Sequence, residues 1–174
     1  GVFCNISGAT LTDAEFFPQF LEYLEQNRDL AGRIVFEFAQ DALAQAGAAG
    51  EANLGYLSRL GFVLSLDHIE SLAVDFAHLR DLGFRHLKVS ARTLTGGMGK
   101  AGAAVAAEDI KALLSRYGLN LIAERVEDEK TVIQLLDYGV DFAQGYLFGE
   151  PRAVRGEAMR PARAAAAAPL RRAG

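Results

Sequence analysis

The feature that most constrains this chain is a repeated junction: a helix-patterned stretch ends in glycine and an apolar run follows at once. It occurs as Leu60-Gly61-Phe62-Val63-Leu64, Leu82-Gly83-Phe84, Tyr117-Gly118-Leu119 and Tyr138-Gly139-Val140. Glycine accepts the left-handed conformation that closes a helix, so each junction reads as a helix end leading into a strand. The stretches before the glycines have helical spacing. Leu72, Phe76 and Leu79 share a face, as do Ile110, Leu113, Leu114 and Tyr117, and likewise Val132, Ile133, Leu135 and Leu136. A further helix is predicted over 13–27, with Phe16, Phe20, Leu21 and Leu24 inward. Short, nearly continuous apolar runs fall at 2–4, 34–36, 62–66, 85–87, 119–123 and 140–143. Strands of this kind are covered on both sides, as in parallel sheets whose crossovers are helices. Strict alternation specifies an α/β fold, either an open doubly wound sheet or a (β/α) barrel; periodicity alone does not separate them.

The chain has 174 residues, 51% of them apolar, which is enough for one domain with a substantial core. No stretch approaches the roughly 18 apolar residues of a membrane span, and no charged-then-apolar leader opens the sequence. The expectation is a cytoplasmic piece, with an anchor further upstream still compatible. Cys4 is the only cysteine, so no disulfide forms within the chain, which suits a reducing compartment. Charge divides the chain in two. From Pro151 onward six arginines face Glu157 alone, about +5, so the body carries about −9 of the net −4. An acidic body argues against DNA or RNA as partner, which needs a broad basic face. Residues 1–153 therefore read as the folded domain. Residues 154–174, with alanine from 164 to 168, read as a low-complexity Arg/Ala-rich tail.

Each apolar run ends in a polar residue that a core strand has no reason to carry: Asn5, Glu37, Asp67, Lys88, Glu124 and Gln144. Taken singly, such a residue is ordinarily a helix cap, a loop solvator or a turn residue. Six runs out of six favour convergence, because the C-terminal strand ends of barrels and open α/β sheets meet at the ligand site. Three carboxylates, two amides and one ammonium suit divalent cations and a phosphate. Two other patterns carry less. The G-x-G-x-x-G match at 97–102 lies several residues beyond its strand, too far for a tight phosphate turn, and reads as a loop. His78 in a helix and His86 in a strand read as structural.

The same residues resemble the EAL domains of bacterial cyclic di-GMP signalling. Val2-Phe3-Cys4-Asn5-Ile6-Ser7 is similar to the family's V-N-x-S strand, and Ile34-Val35-Phe36-Glu37-Phe38 to L-x-L-E-[IV]-T-E. Leu66-Asp67-His68-Ile69-Glu70 occupies the place of D-D-F-G, and Leu87-Lys88-Val89-Ser90 that of K-[IV]-D. Ile122-Ala123-Glu124-Arg125-Val126-Glu127 is similar to A-E-G-V-E. Gln144-Gly145-Tyr146-Leu147-Phe148, with Pro151, is similar to Q-G-[YF]-x-[FL]-x-x-P. The resemblance implies a (β/α)8 TIM-type barrel, here lacking its first strand and helix and so a partial barrel over 1–153. It makes Asn5, Glu37 and Asp67 ligands of one metal, with Asp67 and Glu124 sharing a second. It makes Lys88 the residue that orients the attacking water, with Gln144 and Glu127 supporting the pocket. The ligand implied is cyclic di-GMP, the cofactor Mg²⁺ or Mn²⁺ if the domain is active, and the product linear pGpG.

Departures from the pattern bear on catalysis. His68 stands where a second ligand Asp belongs, and imidazole is a poor ligand for Mg²⁺. Gln40 and Ala39 replace the T-E pair, Ser90 replaces the Asp of K-[IV]-D, and the loop at 69–73 is not glycine-rich. Losing a metal ligand and its support typically costs orders of magnitude in rate. The expectation is a degenerate, non-hydrolytic cyclic di-GMP receptor that biases contacts to a signalling or flagellar partner protein, with homodimer formation open. A residual metal-dependent phosphodiesterase and a nucleotide-free protein scaffold are the alternatives. The His68/Gln40 pattern resembles α-proteobacterial members tied to flagellar assembly.

Overall fold

A computed structural model describes residues 1–69, 71, 73–96, 107–140 and 142–150. Strand β1 (Val2–Asn5) leads through helices α1 (Gly8–Thr12) and α2 (Phe16–Gln26) to β2 (Ile34–Ala39). Helices α3 (Gln40–Gln45) and α4 (Gly47–Arg59) precede β3 (Val63–Asp67), and α5 (Phe76–Leu82) precedes β4 (Phe84–Ser90). Helices α6 (Ala91–Gly96) and α7 (Ala107–Arg116) lead to β5 (Asn120–Glu124), and α8 (Glu129–Asp137) to β6 (Phe142–Ala143). Leu72, the segment 97–102, Pro151 and the tail 154–174 lie outside the described residues.

The six strands are all parallel and lie side by side in chain order, β1 to β6. A doubly wound sheet must reverse direction at a switch point. An order that never reverses keeps the crossovers on one side, because their handedness is fixed. The result is a curled sector of an α/β barrel, with six of eight strand positions filled among the described residues.

One-sided covering decides the side-chain pattern. Phe36, Phe38, Leu64, Leu66, Phe84, Leu87, Val89, Leu121 and Ala123 form a core with helix residues such as Leu24, Leu54, Leu57, Leu79 and Leu114. The alternate residues on the same strands face the barrel interior. The strands run further than their apolar runs: β2 continues past Glu37 through Phe38 and Ala39, and β4 past Lys88 through Val89 and Ser90. Glu37 and Lys88 are therefore inward-facing residues within strands rather than strand-end residues. A strand covered by helices on one face only needs apolar side chains at every second position.

The four helix-ending glycines all take left-handed φ: Gly61 93°, Gly83 102°, Gly118 65° and Gly139 69°. At Gly83, which closes α5, a β-carbon would also collide with Ser58, so the position excludes other residues twice over. Helix starts follow side-chain caps. Asp75 Oδ1 accepts from His78 N at 2.9 Å, and Asp128 Oδ1 from Thr131 N at 2.8 Å.

Two helical faces differ from the sequence reading. Over 13–27 the chain forms not one helix but α1's end, a turn and α2, because Asp13 Oδ1 accepts from the backbone N–H of Glu15 and of Phe16 and starts α2 there. The inward stripe is Phe17, Phe20, Leu21 and Leu24, with Phe17 fully buried and Phe16 half exposed. On α8, Leu135 is buried and Val132 partly so, whereas Ile133 and Leu136 are exposed, one helical step off the buried stripe. Phe17→Ala is expected to destabilise the fold by about 3–5 kcal/mol and Phe16→Ala by under about 1 kcal/mol in urea denaturation.

Candidate functional site

The inward face carries polar side chains in register. Asn5 pairs with Glu37 and Glu37 with Ser65 across β1, β2 and β3; Ser90 pairs with Glu124 across β4 and β5. Parallel neighbours in register point to the same side, so a polar set is built up from strand to strand.

Lys88 lies at its centre and is buried, with its Nζ 2.6 Å from Glu37 Oε1. The same Nζ donates to Gln144 Oε1 at 3.0 Å and sits 4.5 Å above the Phe3 ring. One ammonium thus ties β2, β4 and the end of β6 together through the barrel interior. The contact with Glu37 is an ion pair without directed hydrogen-bond geometry, leaving Glu37 Oε1 buried and underused. Burial pushes the Glu37 carboxyl above the ordinary range, and the Lys88 ammonium pulls it back.

Gln144 is held in place by a backbone approach that only glycine permits. At Gly145 a β-carbon would overlap the backbone of Val126. Its absence lets Gln144 N donate to Ala123 O at 2.8 Å while Val126 N donates to Gln144 O at 3.1 Å. These two bonds set the amide against Lys88.

On the other side Asp67 is buried and engaged by its neighbour. His68 N donates to Asp67 Oδ1 at 2.8 Å, and His68 Nδ1 lies 3.1 Å from Oδ2. Glu124 lies near enough to Asp67 for the two carboxyls to interact. Burial first, then the Asp67 charge, holds Glu124 above the ordinary carboxylate range, with His68 and Arg125 opposing. Gln40 Nε2 donates to Ser71 O at 3.0 Å, a bond that a glutamate carboxylate has no proton to make, so this replacement fastens the start of α3 to the loop after β3. Ile69 is buried and pins that loop into the core. Glu127 lies on the exposed loop after β5 and lines a cavity of about 280 Å³ with Glu124, Arg125, Gln144, Gly145 and Tyr146.

Below this polar layer a cavity of about 680 Å³ is lined by Phe3, Val35, Val63, His86, Ile122 and Phe142, among others. His86 packs edge-on to Phe3 and Phe142, at centroid distances of 5.8 Å and 6.4 Å. Burial, then the Lys88 charge, holds its ring below the ordinary imidazole value. His86 Nδ1 is buried there without a hydrogen-bond partner, and so is Ser65 Oγ, in register with His86 on the neighbouring strand. The sequence reading missed His86 and Phe3 as pocket residues and Ser65 as an inward-facing neighbour of Glu37, although a signal existed. Each stands two positions before a site residue (Lys88, Asn5 and Asp67), and period two puts both on one face.

The donor set fits a hard divalent cation in kind: Asn5, Glu37, Asp67 and Glu124 offer amide and carboxylate oxygens, and Glu37 Oε1 lacks a directed partner. Among the described residues no three His, Cys, Asp or Glu side chains converge as a ready metal cage. Lys88 lies against Glu37 and His68 against Asp67, so the expected ligands are present but not gathered.

Parallel strands wound in one direction, with an acidic polar set facing the interior, define a partial (β/α)-barrel domain. The sequence model of the EAL domain matches residues 1–151, and the chain belongs to that family. It is 27% identical over 149 residues to the cyclic di-GMP phosphodiesterase PdeB of Shewanella oneidensis, covering 85% of this chain and 17% of that protein. It is 25% identical over 118 residues to the cyclic di-GMP phosphodiesterase RocR of Pseudomonas aeruginosa, covering 68% of this chain and 30% of the relative. The chain thus spans less than a third of the length of either relative. Among solved structures, the EAL enzyme Bd1971 bound to cAMP and cyclic di-GMP superposes with a TM-score of 0.67 at 27% identity, covering 86% of this chain and 39% of Bd1971. The PaMucR phosphodiesterase in complex with c-di-GMP shares the fold, with a TM-score of 0.70 at 21% identity over 87% of this chain and 67% of that one. No helix among the described residues is long and apolar enough to cross a membrane.

Two outcomes test the electrostatics. Lys88→Met leaves Glu37 buried without its cation and is expected to cost about 3–5 kcal/mol in chemical denaturation, with much of the loss recovered by adding Glu37→Gln. The raised Glu124 value means that the folded state holds this proton more tightly than the unfolded chain. The group's contribution therefore worsens as pH rises through its folded value and is recovered as pH falls toward the ordinary 4.5. Glu124→Gln is expected to raise the melting temperature at neutral pH and to lose that advantage near 4.5, read from a pH series of thermal melts.

Proposed function

We propose that this chain forms the nucleotide-binding part of an EAL domain that binds cyclic di-GMP and has lost efficient hydrolysis. The observation that carries the reading is the occupation of Asp67. Where the family's motif has a second carboxylate, His68 stands instead, and its backbone and ring nitrogens contact both Asp67 oxygens. A carboxylate held in this way offers less to a cation, and imidazole is a weak ligand for Mg²⁺. Ser90 in place of an aspartate, in register with Glu124, removes further negative charge from the same edge. If a divalent cation binds, Asn5, Glu37, Asp67 and Glu124 are the residues to hold it, and it would activate water toward a phosphodiester. What the chain's own residues do is independent of that: Lys88 places a positive charge in the pocket, and Gln144 fixes its direction.

The acidic pair Asp67 and Glu124 favours a second reading, metal-dependent hydrolysis to pGpG, because the Asp67 charge adds to burial in holding Glu124 above the ordinary carboxylate range and a cation would relieve that repulsion. Protein-interaction roles, with a signalling or flagellar partner or a second copy of the chain, belong to the receptor reading as its output.

Calorimetric titration with cyclic di-GMP in EDTA, and then with Mg²⁺ or Mn²⁺, separates these readings when each sample is assayed for pGpG. Binding in EDTA with no product supports the receptor. Metal-dependent product establishes the phosphodiesterase. Absence of binding throughout leaves a scaffold whose surface is the functional part.

A further inference from the structure

Two non-glycine residues among those described hold left-handed φ: His68 at 53° and Arg125 at 57°. Each directly follows a site carboxylate, Asp67 or Glu124, and both line one cavity of about 320 Å³ with Ile69, Ser90, Thr93 and Glu124. For a residue with a β-carbon this conformation costs about 1 kcal/mol or more, and such strain gathers at functional positions. The motif that this segment matches has glycine where Arg125 stands, and glycine takes the conformation freely. The arginine side chain is exposed, so burial does not offset the strain. It forms no salt bridge among the described residues. Arg125 and Glu124 also line the neighbouring cavity, with Glu127, Gln144, Gly145 and Tyr146.

We propose that Arg125 is a phosphate-binding residue, whose guanidinium donates to a phosphodiester oxygen of the bound cyclic dinucleotide and supplies the positive charge that a cation beside Asp67 and Glu124 would otherwise supply. The inference rests on the nucleotide-binding reading above and deepens it by naming what replaces the metal in ligand binding. Guanidinium is well matched to this role, since it is charged at every working pH and its planar fork meets two phosphate oxygens at once. The acidic pocket creates the need. Without a cation, a dianionic ligand meets Glu124, and Asp67 behind it, with Lys88 already against Glu37. Arg125 at the edge of both cavities offsets that repulsion without entering the polar layer. The plainer alternative is that Arg125 only neutralises Glu124. If that alternative holds, adding Glu124→Gln restores the affinity lost in the Arg125 variants, whereas a lost phosphate contact is not restored.

Cyclic di-GMP titration in EDTA of the full-length protein and its Arg125→Gln and Arg125→Gly variants, with melting temperatures alongside, tests this assignment. Wild type is expected to bind in EDTA, and both variants to lose about tenfold or more, the ordinary worth of a charge-assisted bond. Arg125→Gly is expected to melt no lower than wild type, because glycine relieves the strain, so its lost affinity is not a folding defect. Adding Mg²⁺ is expected to narrow the gap between variants and wild type. Variants that bind in EDTA as tightly as wild type overturn the proposal and leave the nucleotide-binding reading standing. A wild type that binds neither in EDTA nor in Mg²⁺ overturns both.

Discussion

The buried ammonium of Lys88 organises the interior of this domain. Lys88 reaches Glu37 on β2 and Gln144 beyond β6, so strands far apart in sequence are joined through the barrel's inside as well as by their hydrogen-bonded edges. Taking a lysine and a glutamate out of water is expensive, and an apolar pair of similar volume would ordinarily serve stability as well or better. Its presence makes sense as part of a pocket that must hold charge. The shape around it follows: Phe3 lies under the ammonium, and Gly145 gives up its side chain so that Gln144 can approach.

The helices make that interior possible. They cover one face of the sheet, bury the apolar half of β2 to β5 and leave inward positions free to carry polar groups. Glu37, Ser65, Asp67 and Lys88 are buried polar residues in a sheet whose outward positions are apolar. The two surfaces of the same strands thus do separate work, one stabilising the fold and the other selecting a ligand. At the rim, the two departures from the family's pattern that matter most, His68 and Arg125, share the left-handed conformation and the same cavity. The replacements therefore act as a pair in space, although they lie 57 positions apart in the chain.

Much of this was legible in the chain itself. The glycine junctions announced helix ends, and all four carry the predicted left-handed φ. The polar residue beside each apolar run marked Asn5, Glu37, Asp67, Lys88, Glu124 and Gln144, and Lys88, Glu37 and Gln144 do meet. Phase was harder to read. Phe16 and Phe17 both continue a helical stripe to Phe20, and only the start of α2 at Asp13's turn selects Phe17. Ser65 and His86 escaped notice because a lone serine or histidine in an apolar run looks like a satisfied core residue. Their partners come from other strands.

The sequence by itself determined the α/β alternation, the places where helices stop, and the inventory of charged and amide groups beside the strands. These are local properties, set by backbone conformation and side-chain period within a few residues. Only the tertiary structure decided that the sheet winds one way, which strand face looks inward, and that Lys88 is spoken for by Glu37 while Asp67 is held by His68. Those facts depend on register between strands and on distances across the barrel. No local pattern encodes such quantities, because they arise when segments tens of residues apart are packed against one another.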